Sequence, residues 1–141
     1  EKTYVTDSGG PGRQRGGLGQ KVRLRKLADD GLPTLVSVYP EGVGVAAPGL
    51  HGGGAGAPAH GVVSDAAGRV THDCGTGELV TLSHAGEIVE IMLAGGAGFG
   101  DPRGRAPEAV ARDVAEEKVS PQAARLHYGV SIAATGARAA E

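Results

Sequence analysis

The chain has no Trp, one Phe, three Tyr, one Met and one Cys in 141 residues. Leu, Ile, Val and Phe together number 29. That is only just above the ~20% level below which disorder is the default. So few large apolar side chains supply little material for a core of the chain's own, which argues against a self-sufficient compact enzyme. The single cysteine, Cys74, excludes an internal disulfide and gives no sign of an oxidising compartment. No apolar run reaches the ~18 residues of a transmembrane helix, and no signal-peptide pattern opens the chain, so a cytoplasmic location is expected. The net charge of −2 gives no electrostatic reason to expect nucleic acid or an anionic membrane. There is neither a Gly-Lys-Ser/Thr phosphate loop nor a complete Gly-x-Gly-x-x-Gly, so ATP is not expected to be held by this chain. The first residue is Glu1 and not Met, which suits a processed chain or a segment of a longer protein.

What the chain does have is 26 Gly and 8 Pro. Eight of the glycines fall within residues 42–61, together with Pro48 and Pro58. No helix or regular strand is expected at that density. The stretch is either a flexible loop or close-packed extended backbone, because without Cβ atoms segments can approach one another. Short β-like runs flank it. Residues 21–27 alternate, with Val22 and Leu24 on one side and Lys21, Arg23 and Arg25 on the other. Residues 35–39 follow after the Asp29-Asp30-Gly31 turn, so the two runs read as a hairpin. Val62-Val63 and Arg69-Val70-Thr71 flank the turn at 65–68. Residues 78–82 and 87–93 are separated by Ser83-His84-Ala85-Gly86 and read as the best hairpin and the core. Farther on the period changes. Val110 and Val114 lie i,i+4 after Pro107 and make one helical stripe. Ser120 and Pro121 start a second short helix, and Gly129 suits its end. The reading is α+β and mainly β. A barrel-like or two-sheet Gly-rich β region covers 1–105, a helical pair 106–130, and a disordered tail 131–141.

Several constellations have a functional and a plain structural interpretation. Arg13 and Arg15, with the amides of Gly9, Gly10, Gly12, Gly16 and Gly17, suit an anion-binding concavity for a phosphate or carboxylate. The alternative is a tight turn whose arginines pair with carboxylates or face solvent. Arg13-Gln14-Arg15-Gly16-Gly17 is a single RGG-like unit without neighbouring aromatics, so nucleic acid is not expected. Asp101, before Pro102 and near Arg103 and Arg105, either forms a buried ion pair that pins the turn or belongs to a solvated one. The five histidines have no metal-ligand spacing, and the adjacent residues His72, Asp73 and Cys74 point alternately from a strand. No metal site is expected within the chain. A nucleophilic Cys74 paired with His72 lacks a positioned base and an oxyanion hole.

Three motifs in order carry a family resemblance. They are Asp7-Ser8-Gly9-Gly10-Pro11-Gly12-Arg13-Gln14-Arg15-Gly16-Gly17-Leu18-Gly19, then Gly95-Gly96-Ala97-Gly98-Phe99-Gly100-Asp101-Pro102 with Arg105, then Asp113-Val114, Val119-Ser120 and Tyr128-Gly129. Across about residues 4–130 this set resembles the C-terminal part of the hydantoinase B/5-oxoprolinase family. Each motif alone is a Gly-rich turn; their order and spacing make the likeness specific. The resemblance implies structural roles for Asp7, Gly9, Gly10, Gly12, Gly96, Gly98, Gly100, Asp101, Pro102 and Arg105. It also implies polyproline-II-like packing of the Gly-rich segments, and an ATP-dependent amidohydrolase that opens 5-oxoproline or a hydantoin. Its partners would be a hydantoinase A-type ATPase holding ATP and Mg and the remainder of the B-type subunit, with a further divalent metal in the missing N-terminal region. This chain alone is expected to be inactive and to bind no cofactor. Related family members are ketone carboxylases, and a non-catalytic assembly module is a third reading. Because nothing here matches the family's N-terminal metal cluster, no catalytic residue carries over. Ala106 stands where the family often has a capping Asp, a change that costs the helix about 1 kcal/mol.

Overall fold

The computed structural model describes residues 1–132; the expected tail lies outside the described residues from 133 onward. Seven strands form two antiparallel sheets. They are β1 (Lys2–Tyr4), β2 (Gln20–Arg25), β3 (Thr34–Val38), β4 (His60–Ser64), β5 (Val70–Cys74), β6 (Glu78–Leu82) and β7 (Ile88–Met92). The larger sheet has the order β1-β2-β7-β4-β5, and the smaller is β3-β6. The β region is therefore two-sheeted, and no closed barrel forms among the described residues. The sheets share one core, with Val38, Val80 and Leu82 from the smaller sheet and Val63, Cys74 and Val89 from the larger.

Strands β2 to β7 lie at the β-like runs read from the sequence and β1 is an additional strand, but two pairings differ from the local reading. Lys21 pairs with Met92, and Val36 with Val80, so residues 21–27 and 35–39 are not a hairpin. Likewise β6 and β7 belong to different sheets. Between them the Glu87 carboxylate accepts the amides of Ser83 (2.6 Å) and His84 (2.9 Å), and Gly86 has φ +89°. The resulting turn hands the chain from one sheet to the other. Period 2 identifies a strand but not its partner. The hairpin around the turn at 65–68 does form, with Gly61 opposite Cys74 and a register shift at Val63/Ser64.

The Gly-rich stretches are packed backbone. The Gly10 amide donates to Gly96 O (2.8 Å), Gly96 to Gly17 O (2.9 Å), Gly54 to Pro11 O (2.6 Å) and Gly98 to Gly54 O (2.9 Å). Segments from 8–19, 49–57 and 94–100 thus bind one another directly. The approach demands glycine: a Cβ on Gly10 would lie 2.6 Å from the Gly98 nitrogen.

A 3-10 turn, Pro102–Gly104, leads to α1 (Pro107–Ala115). Next comes α2, Pro121–Ala123, running into a π-helical turn over Ala124–Tyr128. Ser120 Oγ accepts the Ala123 amide (3.0 Å), and Gly129 ends the helix in the left-handed region at φ +73°. A second core holds Val110, Val119, Ala124 and Tyr128. No helix among the described residues is long and apolar enough to cross a membrane. Ala106 caps α1 with no side-chain hydrogen bond. Ala106→Asp is therefore expected to stabilise the chain by about 1 kcal/mol, measured as a higher urea midpoint; an unchanged midpoint would refute the missing-cap account.

Candidate functional site

The family-like motifs converge where the Gly-rich segments meet the helices. The N-terminal turn is tied to the connection between α1 and α2. Asp7, at φ +62°, donates its amide to Lys118 O (3.1 Å) and accepts the Ser120 amide on Oδ1 (2.8 Å). Thr6 Oγ1 donates to Glu117 O (2.7 Å). Ser8 is buried, and its Oγ accepts the Gly19 amide (2.8 Å).

Asp113 lies at the centre of this junction, 5% exposed. Its Oδ2 accepts from Arg105 Nη2 (2.8 Å) and Nε (3.1 Å) and from Arg15 Nε (3.4 Å). Arg105 Nη1 reaches Arg13 O (3.0 Å), and Arg15 Nη1 reaches Gly16 O (2.6 Å). One carboxylate therefore joins the 8–19 segment, the 95–105 turn and α1. Tyr128 packs in the same place; burial, aided by the Asp113 charge, raises its phenol pKa, and Arg105, a backbone hydrogen bond at Gly12 and Arg15 offset this only in part. Sequence reasoning placed Asp113 only within a motif. Its i,i+3 spacing from Val110, which puts a carboxylate beside the apolar stripe of the helix, is the signal that could have singled it out.

The anion-loop residues divide. Arg15 is paired with Asp113, and the Gly16 amide donates to Gly10 O (2.9 Å). The Gly17 carbonyl accepts from Gly96, while its Cα faces open space. Arg13 pairs with no carboxylate among the described residues. Its side chain lines an open hollow of about 440 Å³ with His51, Phe99, Gly100, Asp101 and Gly104. The His51 and Phe99 rings meet edge to face at 5.0 Å. Asp101 is exposed and caps the 3-10 turn through the Arg103 amide (2.9 Å). Arg105 pairs with Asp113, so the buried Asp101 pair does not form. On the other flank of the junction, a groove of about 680 Å³ runs between Tyr4, Thr6, Arg15, Leu18 and the 116–118 turn. A guanidinium (Arg13), an imidazole (His51), an aromatic ring (Phe99) and a carboxylate (Asp101) line one hollow and can bind and orient a polar group.

Away from the junction, the fold brings together His72, Cys74 and Glu78, whose ligating atoms lie within 4.8 Å of one another. The sequence reading considered the adjacent trio 72–74. It missed that His72 and Cys74 share a strand face and that the 75–77 turn returns Glu78 to them. Burial, then the carboxylates of Glu78 and Asp73, push the Cys74 thiol pKa up. The Gly75 amide and the His72 ring hold Glu78 below the usual carboxylate range.

A family model described as hydantoinase B/oxoprolinase matches residues 1–102. The chain is 34% identical over 141 residues to the caprolactamase subunit beta of Pseudomonas jessenii, covering 95% of this chain and 23% of that protein. It is 35% identical over 133 residues to an uncharacterized protein of Methanocaldococcus jannaschii, covering 94% and 22% respectively. The crystal structure of the ATP-dependent caprolactamase from Pseudomonas jessenii matches with a TM-score of 0.75 at 30% identity, over 97% of this chain and 24% of that one. The nucleotide-free structure of acetone carboxylase shares the fold, with a TM-score of 0.63 at 21% identity over 91% of this chain and 21% of that one. The chain thus spans about a quarter of the length of the relatives it matches.

Proposed function

The chain belongs to the hydantoinase B/oxoprolinase family, and on that premise we propose that it is the C-terminal segment, or a split subunit, of an ATP-dependent enzyme that hydrolyses a cyclic amide. The observation that carries this reading is the 34% identity with a caprolactamase beta subunit across 95% of the chain. The substrates to test are 5-oxoproline, a hydantoin and caprolactam. ATP, held with Mg on a hydantoinase A-type partner, would supply the phosphoryl group that activates the amide oxygen, leaving ADP; water would then open the ring and release phosphate.

Within that assembly this chain's own residues do structural and positioning work. The two sheets pack through a shared side-chain core, and the Gly-rich segments pack backbone on backbone; together they form the base. The Asp113 cluster fixes the motif loops to the helices. Arg13 presents a cation to the open hollow beside His51 and Phe99, where it can orient an anionic group or an acidic loop of a neighbouring subunit. Exposed Leu35 and Leu79, 59% and 60% accessible, lie on the outward face of the smaller sheet and suit contact with the remainder of the B-type subunit.

A second reading, a ketone carboxylase component, is favoured by the fold likeness to acetone carboxylase. The full B-type subunit carrying this segment, combined with its ATPase partner, distinguishes the two. ADP release that matches ring opening and needs no bicarbonate is expected. Turnover that requires bicarbonate and a ketone would replace the hydrolase reading with the carboxylase. A stable complex without turnover on any of these substrates would leave an assembly module. The 141-residue chain alone is expected to show no ATP-dependent ring opening, and hydrolysis by it would overturn its dependence on partners.

A further inference from the structure

The two sheets are joined at one corner by a short turn that gathers three different ligand types. Strand β5 ends at Cys74, Gly75-Thr76-Gly77 turns, and β6 begins at Glu78. Gly77 takes φ +77°, and Thr76 Oγ1 donates to Pro40 O (2.8 Å), which secures the turn against the start of the Gly-rich stretch. His72 and Cys74 are two residues apart on β5 and so face the same way. The Glu78 side chain turns back toward them. One of its oxygens accepts the Gly75 amide (2.8 Å), and the other meets His72 Nε2. The backbone amide thereby orients the carboxylate, as outer partners commonly orient metal ligands.

We propose that His72 Nε2, Cys74 Sγ and Glu78 Oε1 form a binding site for a divalent transition-metal ion of the zinc type, stapling the larger sheet to the smaller. The three atoms lie within 4.8 Å of one another. A small closure of the side chains would bring all three within the ~2.0–2.3 Å of zinc–nitrogen, zinc–oxygen and zinc–sulfur bonds. An imidazole, a thiolate and a carboxylate are a borderline-soft set that suits zinc better than calcium or magnesium. The sulfur is buried, whereas the His72 and Glu78 side chains are 49% and 33% accessible. An ion can therefore enter from solvent and settle against a sulfur that water does not reach. Three protein ligands leave a fourth position for water or for a group from another subunit. Asp73 faces away, near His60 (3.7 Å), and adds negative field without joining the set.

The test is cobalt titration of the metal-stripped full chain, followed by absorption. Cys74 is the only thiol among these 141 residues, so a thiolate-to-cobalt charge-transfer band reports on this site. One equivalent of cobalt is expected to produce the band, and zinc to remove it. His72→Gln and Glu78→Gln change accessible side chains. Each is expected to weaken binding by more than the ~10-fold that loss of an orienting outer partner costs. Cys74→Ser is expected to abolish the band; because Cys74 is buried, the two accessible variants decide the matter if that variant unfolds. Absence of the band at millimolar cobalt would overturn the proposal. So would a band whose affinity is unchanged in both His72→Gln and Glu78→Gln.

Discussion

Asp113→Ala is expected to destabilise the fold by about 3–5 kcal/mol, the usual consequence of removing one partner from a buried charged cluster. The Asp113 side chain is only 7% accessible, and those of Arg15 and Arg105 are 14% and 15%. Truncation would strand two guanidinium groups away from water with one carbonyl partner each, Gly16 O for Arg15 and Arg13 O for Arg105. The better helix propensity of Ala offsets at most about 0.7 kcal/mol. The main chain would not suffer directly, since the Asp113 carbonyl, which accepts the Lys118 and Val119 amides, is retained. Urea unfolding measures the effect. The double variant Asp113→Ala with Arg105→Met is expected to recover part of the loss, because it removes one of the stranded charges. A single-variant loss below about 1 kcal/mol, the range of an exposed pair, would mean that the cluster is more solvated than its burial indicates.

Gly98→Ala is expected to cost about 3 kcal/mol or more, at the upper end of overpacking penalties. The new methyl would sit 2.6 Å from the Pro11 carbonyl carbon and 2.7 Å from Gly10 O. Both are backbone atoms in hydrogen-bonded segments, so no side chain can swing aside. Separating them would also strain the Gly98–Gly54 hydrogen bond (2.9 Å). Gly17→Ala is the internal control. A Cβ there meets nothing within 4 Å, so a change within about 0.5 kcal/mol is expected. Paired thermal melts compare the two directly. Equal shifts for both variants would exclude close backbone packing as the reason for the glycines.

Local features were legible in the order of residues. The Val110/Val114 stripe, the Ser120-Pro121 start and the Gly129 end all rest on interactions within one or two turns of chain, and each is found where expected. The turn at 65–68 closes its hairpin for the same reason: Asp65 accepts the amides of Ala67 and Arg69 (2.9 Å each), so the determinant and its effect are neighbours. The motif set that identified the family is equally linear.

Partner choice was not legible. Strands β6 and β7 are separated by only the five residues 83–87, yet one pairs with β3 and the other with β2 and β4. Alternation states which side chains face inward and is silent about which strand lies alongside. Arg15 meets Asp113 across 98 positions, and His72 meets Glu78 only because a Gly turn folds one sheet edge onto another. The sequence by itself determined that this chain is glycine-dense, poor in aromatics, mainly β with short C-terminal helices, and a relative of the hydantoinase B family. Composition left the Gly-rich stretch as loop or packed backbone, and the family resemblance implied packing; tertiary structure decided which backbone atoms each Gly-rich segment meets, and that Arg15 is held by Asp113. The physical reason is the same in both cases: a missing Cβ or a guanidinium has no fixed role until another segment arrives against it.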